Sequence, residues 1–147
     1  MILRIVLIIT IVFLVIWAIQ KVLLGFIRTK LLSRVEKRFI GQRIIISDLG
    51  ASFFGQESKG LKQIRGNGAL ILTEMELWFG LAMPERELVI PTANIKSVRL
   101  TRRHLGKTVF RPLLCVDISS RSGEDTIAWH VKNPKKWQAE IERIVSA

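Results

Sequence analysis

Residues 65–79 read RGNGALILTEMELWF, and this stretch decides how the rest of the chain is read. Two runs of β-formers, Ala69–Thr73 and Leu77–Leu81, flank the short connection Glu74-Met75-Glu76. Short apolar runs bounded by turn residues in this way are the pattern of paired strands. Gly66, Asn67 and Gly68 precede the pair. All three tolerate positive φ, so a sharp turn is expected to deliver the chain into the first strand.

Working outward, the same short-strand signal recurs. RIIISD (43–48) is a β-branched run that reads as a linker strand or a first strand, and ASFFGQES (51–58) follows. RELVIP (86–91) places Leu88 and Ile90 on one face before Pro91 stops it. ANIKSVRL then turns Ile95, Val98 and Leu100 inward. PLLCVDIS (112–119) and TIAWHV (126–131) alternate likewise, with Leu114, Val116 and Ile118, then Ile127, Trp129 and Val131, on their inner faces. Asn133 stands at an N-cap position with Pro134 at the first helical residue. Trp137, Ile141, Ile144 and Val145 give the closing helix (134–146) its apolar stripe. Six or seven antiparallel strands and one helix over the open end make an α+β, mainly β, half-barrel domain at 42–147.

The N-terminal part is of another kind. Ile5–Ile19 is an uninterrupted uncharged and almost wholly apolar run. Counted from Ile2, with Arg4 snorkelling, it spans roughly 27 Å as a helix, close to a hydrocarbon core of ~30 Å. No small-x-small cleavage pattern follows it, which favours a retained transmembrane helix at 1–21 over a cleaved leader. Residues 22–41 continue as a basic amphipathic segment. Val22, Leu23, Phe26, Ile27, Leu31, Val35 and Phe39 recur at helical spacing between Arg28, Lys30, Arg34, Lys37 and Arg38. With Lys21, these six cations are expected to lie on an anionic leaflet; the competing reading packs the apolar stripe on the folded domain or on a partner helix. The positive-inside tendency places everything after residue 20 in the cytoplasm, in keeping with a single unpaired cysteine, Cys115.

The net charge of +11 has two local sources. Residues 20–43 and residues 96–111 each carry a net +6, so a partner is sought at those patches rather than over the whole surface. Nucleic acid is disfavoured, since Phe110 is the one aromatic within the second cluster. Gly106-Lys107-Thr108 resembles the tail of a phosphate-binding loop. The glycine which that motif needs five residues earlier is Thr101, however, and Pro112 opposes the helix that would follow. His104 and His130 have no metal-ligand spacing, Cys115 has no local base, and no catalytic residue, metal site or cofactor is expected.

GALILTEMELWF as an opening hairpin, ELVIPTANIKSVRL as strand, proline, short turn and strand, and a closing helix bearing Trp137 together resemble pleckstrin-homology-like domains over roughly residues 50–146. The likeness is to the GRAM and bacterial branches. The strings RGNG, PxREL (Pro84, Arg86, Glu87, Leu88), HLGK (104–107), RPLL (111–114) and AWHV (128–131) are similar to those of small prokaryotic single-pass membrane proteins carrying such a domain. The resemblance implies a non-enzymatic module in which basic residues on loops at the open end of the barrel grip anionic groups. Here it points to Arg99, Arg102, Arg103, His104, Lys107 and Arg111. A K-x-R pattern straddling the first hairpin is lacking, so a generic anionic headgroup is expected rather than a specific phosphoinositide. The expected partners are lipids of the inner membrane or an acidic protein surface. The alternative is a scaffold that recruits a membrane complex, or a second copy of itself, through its helix and a sheet edge.

Overall fold

The structure, a computed structural model, describes residues 1–147. A single helix, α1 (Ile2–Arg38), takes up the first quarter of the chain. No proline interrupts it, and the hydroxyls of Thr10 and Thr29 donate to the carbonyls of Val6 and Gly25 one turn back, so neither competes with the helix. The segments expected separately at 1–21 and 22–41 are therefore one rod of about 55 Å. It ends after Arg38, and Gly41 at φ 72° turns the chain into the sheet.

Seven antiparallel strands follow: β1 (Ile44–Gln56), β2 (Gly66–Thr73), β3 (Glu76–Leu81), β4 (Arg86–Pro91), β5 (Ile95–His104), β6 (Lys107–Ser120) and β7 (Gly123–His130). The helix α2 (Pro134–Val145) closes the chain. The sheet order is β4-β3-β2-β1-β7-β6-β5. RIIISD and ASFFGQES are halves of one strand, β1. Register shifts between Asp48 and Ala51 and between Phe53 and Gly55 bend it, as bulges do. The bent strand pairs with β2 along most of its length and with β7 over Ser52–Gln56. That shared strand curls the sheet into a partly open barrel.

The inner face carries the main core: Leu70 and Leu72, Leu77 and Phe79, Leu114 and Val116, Ile127 and Trp129. Trp137 and Ile141 of α2 plug the opening. Ile144 is half-buried and Val145 is exposed, so the stripe expected on α2 stops short of its last member. Asn133 stands before the helix in a left-handed conformation (φ 53°), and its side chain makes no capping bond; its carbonyl accepts from Lys136 N and Trp137 N, and Pro134 takes the first helical position.

The opening stretch is built differently from a turn. Gly66 and Gly68 have no positive φ and already belong to β2, opposite Phe53 and Ala51 on β1. Gly68 is required by close approach, because a Cβ there would fall 2.1 Å from the carbonyl oxygen of Gly80 on β3. Gly80 in turn makes room for Trp78, whose Cη2 would lie 2.2 Å from a Cβ.

Trp78 is the centre of a second, outer core. Leu31 and Val35 of α1, with Phe39 at its C-cap, pack on Ala69, Ile71 and Trp78, all buried. Phe39 meets the indole edge-on at 5.5 Å. The β2–β3 hairpin is thus covered on both faces, which is why Ala69–Leu72 is continuously apolar instead of alternating.

Candidate anionic-membrane interface

The basic segment 96–111 forms the β5–β6 hairpin. Leu105 (φ 51°) and Gly106 (φ 72°) make its two-residue turn, the geometry that matches strand twist. Gly106-Lys107-Thr108 is accordingly hairpin backbone and not a phosphate loop. A register shift between Thr101 and Arg103 bends the hairpin, and the Thr101 hydroxyl bridges Arg103 N and O at 3.1 Å. The tip folds back over the outer face of β7 and β1. Val109 packs beside the buried Leu113, Cys115 and Ala128. Leu105 lies so close to Gly55 that a Cβ there would come within 2.7 Å of its Cδ1.

His104 is the pin of this fold-back. Its side chain is 1% exposed, Nε2 lies 3.2 Å from the Gly55 carbonyl and Nδ1 3.7 Å from Glu57. It cannot present itself to a ligand, contrary to the sequence expectation. Arg99 is also diverted: Nε and Nη2 donate to Asp117 at 3.2 and 3.1 Å, and that bond raises the guanidinium pKa. Partial burial pushes the Asp117 carboxyl up, but hydrogen bonds from Ser97, Thr126 and Arg99 outweigh it and hold the pKa below the ordinary value. Arg102, Arg103, Lys107 and Arg111 remain exposed, and Phe110 between them is fully exposed. Apolar contact through Leu105 and Val109 pins the tip, and alternation along β6 turns Phe110 to the face opposite Lys107, Val109 and Arg111.

Three of the six cations expected on the leaflet instead bind the domain. Lys30 pairs with Glu85 at 2.9 Å. Arg34, only 14% exposed, reaches Glu85 at 3.2 Å and Glu87 at 3.3 Å and donates to the Leu81 carbonyl at 2.9 Å. Arg38 pairs with Glu76 at 2.9 Å. Neighbouring Lys30 and Arg34 hold the Glu85 carboxyl below its ordinary pKa. Lys21, whose ammonium sits 5.5 Å from the Trp17 ring, Arg28 and Lys37 make no ion pair. The apolar stripe divides in the same way: Leu31, Val35 and Phe39 are buried on the sheet, while Val22, Leu23 and Phe26 stay exposed.

These ion pairs fix direction. Lys30 meets Glu85 beyond the end of β3, and Arg38 meets Glu76 at its start, so β3 runs antiparallel to α1. The β3–β4 turn (82–85) therefore points back toward the apolar part of the helix. The β1–β2 loop (57–65) opens at the same end. Between them lies a cavity of about 600 Å³ with Phe53, Phe79 and Leu88 on its walls and Lys59, Lys62 and Arg86 at its rim. Leu61 and Met83 protrude nearby, both well exposed. Sequence reasoning passed over this site because its cations come from two separate segments, the β1–β2 loop and the start of β4, and make no local run. The hairpin tip touches the same loop through Leu105, Gly55 and Gln63, so the two basic regions are neighbours.

The loop is held by few, specific bonds. Asp125 accepts from Ser58 N at 2.9 Å, Ser58 Oγ at 2.6 Å and Gln56 Nε2 at 2.5 Å. Its burial raises the carboxyl pKa, but these bonds outweigh it and lower it below the usual range. Arg65 lays its guanidinium 5.5 Å from the Phe54 ring. Cys115 is fully buried, and desolvation pushes its thiol up to about 11, far from a working nucleophile. His130 is half-buried beside Arg111 and Lys132. No three His, Cys, Asp or Glu side chains converge where they could hold a metal ion.

No family model and no curated protein matches the chain. Solved structures do. The N-terminal PH domain of Vps36 superposes with a TM-score of 0.52 at 16% identity, covering 72% of this chain and 80% of that one. A chain of the 8S snRNP assembly intermediate gives 0.54 at 10% identity, covering 70% and 82%. The C-terminal domain of a Leishmania infantum protein of unknown function gives 0.55 at 9%, covering 81% and 98%. At such identities the likeness speaks for fold alone. The β-domain of this protein, seven antiparallel strands closed by a C-terminal helix, has the pleckstrin-homology fold.

Proposed function

We propose that this is a single-pass membrane protein whose PH-like module is mounted on its own anchor and reads anionic lipid headgroups on the cytoplasmic leaflet. The observation that carries the reading is the docking of residues 30–39 on β2–β4. It fixes the domain to the helix with its loop end turned toward the apolar segment. Residues 5–24, which carry the segment expected at 1–21 on to Leu24 with Lys21 snorkelling outward, span about 30 Å as a helix, the thickness of a hydrocarbon core. Lys30 and its partner Glu85 then stand about 9 Å beyond Leu24, within reach of the headgroup layer. Arg102, Arg103, Lys107 and Arg111 supply charge near that surface, and Phe110 supplies an apolar wedge. Lys59, Lys62 and Arg86 lie at the adjoining mouth.

The test is flotation of a 28–147 fragment with vesicles. The fragment must keep the docked helix, because a 42–147 fragment would bare Trp78. Binding to phosphatidylglycerol vesicles but not to phosphatidylcholine ones, removed by salt, is expected. The triple change Arg102→Glu, Arg103→Glu, Lys107→Glu should weaken it on the order of 100-fold or more, at ~1 kcal/mol per near-surface cation. Undiminished binding by that variant refutes the site.

The free edges of β4 and β5 support a second reading, assembly by strand addition. Under that reading the fragment self-associates or captures a partner in a manner insensitive to salt.

A further inference from the structure

A second groove, about 730 Å³ in volume, lies between α1, β1 with the start of β2, and the start of α2. On the helix side Leu24 and Ile27 form its wall, and Leu49 faces them from β1. Arg28, Lys132 and Lys136 bring three positive charges to it, all exposed. Asp48 is the one acid in the lining, and both its oxygens are occupied. Oδ1 accepts from Gly50 N at 2.9 Å and Oδ2 from Lys132 N at 2.6 Å. None of the three cations has a carboxylate partner within salt-bridge distance, although Lys30 and Arg34 on the same helix do. The first turn of α2 adds its positive dipole end, left uncapped by the Asn133 side chain.

We propose that this groove holds one anionic phospholipid of the leaflet that α1 crosses. Its acyl chain lies along Leu24 and Ile27, and its phosphate is held by Arg28, Lys132 and Lys136. The inference rests on the membrane-spanning reading of α1, but not on lipid binding by the β5–β6 hairpin. Leu24 ends the twenty-residue span, and Arg28 stands one helical turn, about 6 Å, further out, where phosphates sit. The groove thus continues the lipid-facing wall of the helix into a cationic pocket. Its volume falls within the ~300–1,000 Å³ of ordinary ligand sites. A lipid seated there would touch helix, sheet and α2 at once and so strengthen the mounting of the domain.

The experiment is native mass spectrometry of the full chain released from neutral detergent and titrated with phosphatidylglycerol, phosphatidylcholine or glycerol phosphate. One phosphatidylglycerol should be retained tightly, with phosphatidylcholine and glycerol phosphate at least tenfold weaker. Arg28→Gln, Lys132→Gln, Lys136→Gln should reduce retention on the order of 100-fold. The charge-keeping variant Arg28→Lys, Lys132→Arg, Lys136→Arg should restore it, which separates charge from folding. Equal retention by the wild type and the glutamine variant overturns the proposal, as does equal binding of phosphatidylcholine or of glycerol phosphate. The hairpin variant Arg102→Glu, Arg103→Glu, Lys107→Glu should keep the bound lipid even where flotation is lost. Loss of it there overturns the separate site.

Discussion

Replacing Arg34 by methionine tests how the module is mounted. Arg34 is the least exposed cation of the docked segment, at 14%, and methionine keeps its aliphatic packing while removing the guanidinium. The bond to the Leu81 carbonyl, from a charged donor, contributes about 1.5–3 kcal/mol. Glu85 and Glu87 are 51% and 42% exposed, so solvent screens those pairs and the bond to the Leu81 carbonyl carries most of the loss. Docking should weaken by about 2–3 kcal/mol. The readout is the alkylation rate of an Ala69→Cys variant of the full-length protein in nanodiscs, since Ala69 is fully buried under α1. Native Cys115, buried in a separate cluster and with its pKa near 11, reacts too slowly to interfere. If labelling follows transient undocking, Arg34→Met should speed it about 30- to 150-fold. Lys30→Met, which removes a pair 60% and 51% exposed, should change it less than about fivefold. Equal rates in the two variants would refute the assignment of Arg34 as the principal clamp.

Gly68→Ala should destabilise the domain by more than about 2 kcal/mol in urea unfolding, because its Cβ would meet the Gly80 carbonyl. Gly106→Ala should cost about 1 kcal/mol, since its surroundings are open and only φ is unfavourable. Asp125 and Asp117 titrate lower folded than unfolded. Their stabilisation is thus complete above the unfolded carboxylate pKa and is lost as pH falls through the depressed folded one. Asp125→Asn should lower Tm at pH 7 and flatten the fall of Tm below about pH 4; an unchanged acid limb would count against that role. Phe110→Trp should show a blue-shifted emission on adding anionic vesicles to the 28–147 fragment, and an unshifted spectrum means that the tip stays in water.

Most elements were legible before folding because their signals are local. The apolar run at 5–19, the paired runs around Glu74-Met75-Glu76, and the spacing of Trp137 and Ile141 each need only a period and a boundary. The candidate site was less legible. Six basic residues in one segment looked like one surface, yet a bulge at Thr101–Arg103 and the fold-back of the tip sent His104 inward. Asp117, eighteen positions away, took Arg99. Lys59, Lys62 and Arg86 gave no run at all. The basic amphipathic segment was ambiguous for the same reason: whether an apolar stripe faces lipid or a sheet depends on a surface that periodicity does not describe. One clue was available, since Ala69–Leu72 lacks the alternation of a strand with one wet face.

The sequence by itself determined a lipid-length helix, a set of short antiparallel strands, a capping helix, and charge concentrated in two places. These follow from hydropathy, period and turn chemistry over windows of a few residues. Only the tertiary structure decided that α1 continues unbroken onto Trp78, that Gly68 is there for close approach rather than for a turn, and which cations are left without partners. Those outcomes depend on which distant carboxylate, carbonyl or ring arrives within a few ångströms, and no local window contains that distance.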